Sequence, residues 1–202
     1  LLGARAMPIE HKFFPDGENY IRFTDDVKGE SIVLIQTLSP PQDTHLVQSL
    51  LMADAAKDLG ASRITLVAPY FAYTRQDRRF LEGEAASLQT ATRLLKTVGV
   101  KWLVTINSHS PNLLEKTGIK TKNLSAIGLL AEYFKVQGLN GALSLALGKR
   151  ATIIAVEAER ILNGGCDCLK TKRDLVTGKT VVEAGKLDVR DRDVIIFDDI
   201  IS

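Results

Sequence analysis

Apolar stretches alternate with amphipathic stretches along the first half of the chain. Residues 31–37 are short, apolar and bounded by turn residues, which is typical of a buried strand. Residues 44–59 carry apolar side chains at helical spacing and stop before Gly60, so they predict a helix capped by Thr44. The alternation continues with strands at 64–69 and 102–106 and a helix at 85–98. Strands joined by helices predict parallel crossovers, and therefore an α/β fold.

The second half repeats this arrangement less regularly. Asn123 is placed to cap a helix from Leu124 to about Val136, and we expect a domain boundary here, between residues 1–123 and 124–202. The elements predicted after it are strands at 143–147, 167–169 and 194–197, a helix at 151–162 and a hairpin at 172–184.

Charge and cysteine content narrow the partners and the compartment. The 26 Lys and Arg residues nearly balance the 24 Asp and Glu residues, so net charge predicts neither nucleic acid nor a membrane surface as a partner. No apolar run approaches the roughly 18–20 residues of a membrane span, and we expect a cytoplasmic protein. Cys166 and Cys168 are interpreted as reduced structural thiols, with redox or metal chemistry as the alternative.

Residues 14–18, Phe-Pro-Asp-Gly-Glu, join a turn sequence to an alternating strand. One interpretation is a surface hairpin with no further role. The other is a nucleobase site, because the ring of Phe14 can stack on a base while the carboxylates of Asp16 and Glu18 accept hydrogen bonds from its exocyclic amine. The segment alone leaves both interpretations open.

Residues 70–80 follow a predicted buried strand and combine several aromatic side chains with three arginines. Arginine binds phosphate through two parallel hydrogen bonds, and an aromatic ring can pack on a base. The alternative is a solvated loop whose aromatic side chains pack against the next helix. The position of residues 70–80 at the carboxyl end of a strand favours a binding role.

Two further strands are followed at once by polar residues. His109 comes after one of them, and the pair Asp198 and Asp199 comes after the last. Ligands of parallel α/β sheets bind beyond the carboxyl ends of the strands. Two adjacent carboxylates there can accept hydrogen bonds from a sugar diol or hold a divalent cation. We therefore expect one rim of the sheet to collect Arg75, Gln76, Asp77, His109, Asp198 and Asp199.

Three motifs together resemble one known family. They are Phe-Pro-Asp-Gly-Glu at 14–18, Pro-Tyr-Phe-Ala-Tyr-Thr-Arg-Gln-Asp-Arg-Arg at 69–79, and Val-Ile-Ile-Phe-Asp-Asp-Ile-Ile-Ser at 194–202. The chain resembles ribose-phosphate pyrophosphokinase, also called phosphoribosyl pyrophosphate synthetase, in an archaeal-like form and over nearly its whole length. The arginine-rich motif is highly specific, whereas the acidic strand end is shared with phosphoribosyltransferases generally.

The resemblance implies two phosphoribosyltransferase-like α/β domains with mainly parallel sheets, the second incomplete. The N-terminal domain would be the ATP side and the partial C-terminal domain the ribose 5-phosphate side. The implied reaction moves the β,γ-diphosphoryl group of ATP to the 1-hydroxyl of ribose 5-phosphate, with Mg²⁺, and yields phosphoribosyl pyrophosphate and AMP for nucleotide biosynthesis. It also implies self-association, at least as a dimer, because a neighbouring subunit usually completes the adenine site.

The resemblance assigns roles residue by residue. The residues implied to bind ATP are Phe14, Asp16, Glu18, Arg75, Gln76 and Asp77. His109 would lie beside the transferred phosphates and the metal. The implied ribose 5-phosphate ligands are Asp198, Asp199 and Ser202. The implied catalytic basic segment contains Lys170, Lys172 and Arg173.

The sequence departs from the family pattern at three places. A Thr-Gly-Gly-Thr phosphate loop is expected to follow Ser202, and a strand with a glycine-containing loop to precede Leu1, so we expect truncation at both ends. The family's Ala-Pro-Asp-x-Gly metal loop aligns with residues 146–150, which puts Gly148 at the aspartate's position. The family's catalytic Lys-x-Arg motif fits residues 170–173 in two registers.

These departures leave two alternatives open. A degenerate or regulatory homologue would bind nucleotide without catalysis, and Gly148 and the missing phosphate loop motivate that hypothesis. A phosphoribosyltransferase would explain Asp198 and Asp199 but would leave the two motifs nearer the amino terminus unexplained.

Overall fold

The computed structural model describes residues 3–173, 180–183 and 187–200. The chain divides into two compact units, residues 1–124 and 125–202. Each unit contains one four-stranded sheet. No helix within the described residues is long and apolar enough to cross a membrane.

The first unit combines a small hairpin with a parallel sheet. The hairpin pairs β1 (Ile9–Phe13) with β2 (Asn19–Phe23) in antiparallel fashion. The sheet has the strand order β3-β4-β5-β6 and all its pairs are parallel. Its strands are β3 (Ser31–Ile35), β4 (Arg63–Ala68), β5 (Val100–Ile106) and β6 (Lys120–Leu124). The helices are α1 (Gln42–Asp58), α2 (Ser87–Thr97) and α3 (Pro111–Leu114), the last followed by a 3-10 turn at Glu115–Thr117.

One face of this sheet holds the core of the first unit. Ile32 and Leu34 of β3 are 7% and 4% exposed and pack with residues of α1 and α2. Val33 and Ile35 alternate with them and are 54% and 74% exposed. The prediction of a strand here is confirmed, but in this chain the strand is buried on one face only, because both helices join the same core cluster.

The predicted cap of the first helix is wrong. Helix α1 begins at Gln42, so Thr44 lies inside its first turn. The residue at the N-cap position is Pro41, which makes no side-chain capping hydrogen bond. Asp43 supplies a negative charge in that turn instead. Such a charge is stabilising at the positive end of the helix dipole.

The predicted helix start at Asn123 is also wrong. Asn123 and Leu124 belong to β6, and the next helix begins only at Ile127. β6 is an edge strand, and its sequence Lys-Thr-Lys-Asn-Leu alternates exposed and half-buried positions. An edge strand needs few apolar residues, and charged side chains protect it from pairing with other chains. The hydrophobic pattern therefore did not reveal it.

The second unit has a mixed sheet with the order β10-β7-β8-β9. Its strands are β7 (Leu143–Leu147), β8 (Cys166–Arg173), β9 (Thr180–Glu183) and β10 (Val194–Phe197). β10, β7 and β8 are parallel, and β9 pairs with β8 in antiparallel fashion. Its helical segments are α4 (Ile127–Phe134), a π turn at Lys135–Leu139, a 3-10 turn at Lys149–Ala151 and α5 (Thr152–Leu162).

β7, which the sequence pattern indicated only weakly, is an inner strand of the second sheet. β7 lies between β10 and β8, and its residues 143–146 are buried. The predicted hairpin is present as β8 and β9, although β8 is longer than expected. The residues between them, 174–179, lie outside the described part of the chain.

Helix α2 offers a matched pair of leucines that tests how the first unit is packed. Leu95 is fully buried in the core and its neighbour Leu94 is 43% exposed. We expect Leu95→Ala to lower the free energy of unfolding by about 2–5 kcal/mol and Leu94→Ala by less than about 1 kcal/mol. Urea denaturation followed by circular dichroism measures both. Equal losses would contradict the packing of α2 through Leu95.

Candidate functional site

The turn between β1 and β2 is held by its own backbone. Phe14 N–H donates to the carbonyl of Glu18 at 2.9 Å, and Gly17 N–H donates to the carbonyl of Phe14 at 2.9 Å. The carboxylate of Asp16 accepts the Glu18 N–H at 3.2 Å. Gly17 has φ 92°, which favours glycine. The ring of Phe14 meets Tyr20 edge-on and remains 43% exposed, so the predicted hairpin also presents a ring that can stack on a base.

A polar network ties this hairpin to the parallel sheet. Gln48 of α1 is 8% exposed, and its amide nitrogen donates to Asn19 Oδ1 at 2.9 Å and lies 3.0 Å from His11 Nε2. Gln36, just past β3, donates to Gln48 Oε1 at 2.9 Å. His11 therefore contacts other residues of the same unit, and the hairpin is anchored to α1 and to the end of β3.

The loop between β4 and α2, residues 69–86, contains the three arginines of the motif and is called the arginine-rich loop. Aromatic residues at its start anchor it to the core. Phe71 is 2% exposed and belongs to the core cluster of the first unit, so it has no surface to offer a base. The hydroxyl of Tyr73 donates to the carboxylate of Asp43 in α1. That hydrogen bond, with burial and the negative charge of Asp43, raises the pKa of Tyr73. These contacts fix where the rest of the loop begins.

The three polar residues that follow have different environments. Arg75 is exposed and forms no hydrogen bond or ion pair within the described residues. Gln76 Oε1 accepts the hydroxyl of Ser87, at the first residue of α2, at 2.8 Å. Asp77 is 4% exposed and accepts the hydroxyl of Ser110 at 2.5 Å. Of the three, Arg75 is the side chain most available to a ligand.

The far end of the arginine-rich loop is closed by Glu84. Its carboxylate accepts the N–H groups of Phe80 at 2.7 Å and Leu81 at 3.0 Å. These backbone hydrogen bonds stabilise the charged form and lower the pKa of Glu84. Arg79 Nε donates to the Glu84 carbonyl at 2.8 Å, so one arginine of the motif is engaged within the loop.

His109 and Arg75 lie in loops at the same edge of the first sheet. The strand before His109, β5, pairs in parallel with β4, and the two loops follow the carboxyl ends of these neighbouring strands. Before His109, Asn107 N–H donates to the carbonyl of Leu124, and Ser108 N–H donates to Asn123 Oδ1 at 2.9 Å. The edge strand β6 therefore holds the loop, and His109 itself is half-buried.

The aspartate pair lies at the edge of the other sheet. Asp198 and Asp199 follow β10, which pairs with β7 in the second unit. The expectation of a single rim is therefore wrong, because the chain forms two separate four-stranded sheets. Asp199 N–H donates to Asp198 Oδ1 at 2.9 Å, and both side chains are half-buried. Ser202, the third predicted ribose 5-phosphate ligand, lies outside the described residues.

The end of β7 requires glycine. Gly148 has φ 89°, and a Cβ there would lie 2.7 Å from Thr171 Oγ1. This geometry favours a register in which the family motif's own glycine falls on Gly148, which moves the aspartate's position to Ala146. The side chain of Ala146 is buried in β7. Neither register supplies a carboxylate at this strand end.

The predicted basic segment begins at the same edge as the aspartate pair. Leu169 of β8 pairs with Leu147 of β7, so Lys170 lies level with Gly148, and it is exposed. Lys172 and Arg173 belong to the end of β8, and their side chains lie outside the described part of the structure. Lys170 therefore lies in β8 just beyond its parallel pairing with β7, and the aspartate pair follows β10 of the same parallel set.

Two sheets of mainly parallel strands, with polar residues beyond the carboxyl ends of those strands, define an α/β protein of the class whose ligand sites lie at strand ends. A sequence profile for the N-terminal domain of ribose phosphate pyrophosphokinase matches residues 1–99. The chain is 36% identical to the ribose-phosphate pyrophosphokinase of Saccharolobus solfataricus and 38% identical to that of Sulfolobus acidocaldarius. Each alignment covers 100% of this chain and 69% of the relative.

A solved structure shares the fold. The phosphoribosylpyrophosphate synthetase from Mycobacterium smegmatis superposes with a TM-score of 0.82 at 24% identity, over 98% of this chain and 64% of that one. The chain belongs to the ribose-phosphate pyrophosphokinase family. The predicted family, its α/β fold and the class of enzyme, a diphosphate-transferring enzyme of nucleotide biosynthesis, are confirmed.

Sequence inspection missed the contact that joins two of the strand-end loops. Ser110 stands before a proline in a polar tetrapeptide, which indicates only a helix start. Its buried partner Asp77 lies 33 residues earlier in the chain. No local pattern reports a contact at that separation.

The hydrogen bonds of Glu84 predict that the structure of the arginine-rich loop depends on pH. Because its pKa is lowered in the fold, the contacts with Phe80 and Leu81 stabilise the loop above the pKa of a free glutamate, about 4.3, and are lost as pH falls through the lowered value. We expect the amide proton shifts of Phe80 and Leu81 to titrate below that pH, and Glu84→Gln to abolish the titration. Glu82→Gln, in the same loop, should leave it unchanged. A titration that survives in Glu84→Gln would contradict the assignment.

Proposed function

We propose that the protein containing this chain transfers the diphosphoryl group of ATP to the 1-hydroxyl of ribose 5-phosphate, giving phosphoribosyl pyrophosphate and AMP. The observation that carries this proposal is the pairing of β4 with β5. It brings Arg75, which is exposed and belongs to the family's most specific motif, and the half-buried His109 to one edge of a parallel sheet.

The chemistry of the transfer fits these groups. Phosphoryl transfer needs little covalent participation by the protein, and depends on in-line positioning and on positive groups directed at charge on the phosphate oxygens. Arg75 supplies a fork suited to two phosphate oxygens, and it has no competing partner within the described residues. His109 lies on the neighbouring loop and offers a second, shorter donor to the same phosphates.

The adenine would be held at the turn of the first hairpin. Phe14 supplies an exposed ring, and Asp16 and Glu18 supply acceptors for an exocyclic amine. The hydrogen bonds within the turn fix the backbone of all three residues before a ligand arrives, which lowers the entropy that binding must offset. An adenine site completed by a neighbouring subunit would make the protein at least a dimer.

Ribose 5-phosphate would be bound by the second unit. Asp198 and Asp199 can accept hydrogen bonds from the sugar hydroxyls at the end of β10. Lys170 lies in β8, just beyond its parallel pairing with β7, and adds a positive charge at that edge. Lys172 and Arg173 continue the basic segment in sequence, and Ser202 follows the aspartate pair.

Magnesium is part of the proposal. Within the described residues, no group of three or more His, Cys, Asp or Glu side chains is arranged to hold a metal ion alone. This fits Mg²⁺ that arrives with ATP, because Mg²⁺ usually takes one or two protein ligands and completes its shell with substrate phosphates and water. When bound, it would neutralise charge on the phosphate oxygens, with His109 beside them.

A second candidate is a homologue that binds nucleotide without catalysis. It is favoured by the end of β7, where Gly148 and the buried Ala146 leave no carboxylate in either register of the metal motif. A homologue of this kind would act by assembling with active subunits. A cytoplasmic location, a homo-oligomer and the absence of nucleic-acid or membrane partners stay predictions from the sequence.

Release of AMP separates the two candidates. We expect the full-length protein to form AMP and phosphoribosyl pyrophosphate only when ATP, ribose 5-phosphate and Mg²⁺ are all present. A coupled AMP assay with each component omitted in turn measures this. ATP binding without any turnover would contradict the enzyme and support the non-catalytic homologue, whereas absence of both would contradict both.

Arg75 should affect ligand binding more than folding. We expect Arg75→Ala to weaken ATP binding by about tenfold to a hundredfold, since a hydrogen-bonded charge pair with phosphate is lost, and to leave the melting temperature nearly unchanged. Isothermal titration with ATP and thermal unfolding measure the two effects. Arg63→Ala, at the exposed opposite end of β4, is the matched control and should retain ATP affinity. A collapsed melting temperature with intact affinity would show that Arg75 is structural.

A further inference from the structure

A buried hydrogen bond links the arginine-rich loop to the loop that carries His109. The hydroxyl of Ser110 donates to Asp77 Oδ2 at 2.5 Å, and the two residues are 7% and 4% exposed. A distance of 2.5–2.7 Å is typical of a hydroxyl that donates to an ionised carboxylate, and such a bond is about twice as strong as one between neutral groups. It joins the loop after β4 to the loop after β5, directly beside His109.

Ser110 makes this bond in place of the local one that its position favours. It is the N-cap residue of α3, where serine usually accepts a hydrogen bond from a backbone N–H of the first turn, yet it makes no side-chain capping bond. The hydroxyl is used for the contact between loops instead.

The environment of Asp77 argues against direct contact with ATP. Its side chain is nearly covered, whereas Arg75 two residues earlier is exposed. A carboxylate also repels phosphate oxygens, so it would weaken binding wherever it faced the triphosphate without a cation between them. The hydroxyl of Ser110, by contrast, donates a hydrogen bond to the carboxylate of Asp77.

We propose that Asp77 is a positioning residue, which holds Ser110 and therefore the adjacent His109 in register with the arginine-rich loop. This inference rests on the proposed function, in which His109 and Arg75 act on the same phosphates. Two loops from different strands must keep a fixed separation for that purpose, and a misplacement of about 1 Å can cost on the order of a hundredfold in rate. The Asp77–Ser110 bond supplies that constraint.

Kinetics of three variants test the proposal in the full-length protein. We expect Ser110→Ala and Asp77→Asn each to lower kcat about tenfold while the Kd for ATP changes by less than about threefold, because the loss is confined to the transition state. The double variant should be no slower than the slower single variant, since both changes remove one shared interaction. Ser49→Ala is the matched control. Its buried hydroxyl donates to the His45 carbonyl in α1, and its loss should leave kcat unchanged.

A direct role of Asp77 in ATP binding predicts the opposite pattern. Asp77→Asn would then raise the Kd for ATP about tenfold or more while Ser110→Ala left both constants unchanged. That result would overturn the proposal. A lower melting temperature in Ser110→Ala than in Ser49→Ala, with unchanged kcat, would also overturn it by showing that the bond serves stability alone.

A spectroscopic test does not depend on turnover. The chain has three histidines, His11, His45 and His109, so their ring resonances can be assigned by single substitutions. We expect Ser110→Ala to shift only the His109 ring resonances and Ser49→Ala to shift only those of His45. An unmoved His109 signal in Ser110→Ala would overturn the positioning role. If the wild-type protein forms no AMP, the proposed function fails, and this measurement still decides the role of Asp77.

Discussion

Parallel pairing between neighbouring strands is the constraint on which the candidate site depends. Because β4 and β5 run in the same direction, the loops that follow them must leave from one edge of the sheet, whatever their sequences. The same rule places Lys170 and the aspartate pair at one edge of the second sheet. The core cluster beneath β3, β4 and β5 holds the strands in register and so keeps these edges in place.

Burial then decides which residues of a motif are available to a ligand. The arginine-rich loop sends Phe71 into the core, joins Asp77 to Ser110, and leaves Arg75 exposed. A motif that is continuous in sequence is therefore divided among a residue in the core, a residue bonded to the neighbouring loop and a residue open to a ligand. Under the proposed function, this division would hold the exposed Arg75 in place for phosphate transfer, because its neighbours on both sides are fixed.

The fold could be predicted from the sequence wherever buried positions form a regular pattern of apolar residues. The strands at 31–35, 63–68 and 194–197 correspond to the predictions at 31–37, 64–69 and 194–197, because their apolar runs stand between turn residues. β6 was missed because an edge strand carries polar residues, and the single rim was wrong because strand alternation does not say how many sheets form. Arg75, His109 and the aspartate pair do follow strands that the sequence predicted, but the pattern did not distinguish exposed from buried residues in the arginine-rich loop.

By itself the sequence determined the alternation of strands and helices, the family, and the residues that follow each strand, because these are written in contiguous motifs and local periodicity. The tertiary structure alone decided that the aspartate pair and His109 end different sheets, that the end of β7 needs a glycine, and that Asp77 meets Ser110. Each of these rests on atoms brought together from distant parts of the chain, 33 residues apart for Asp77 and Ser110. Hydrogen bonding and steric exclusion act over a few ångströms of space, and separation along the chain does not report them.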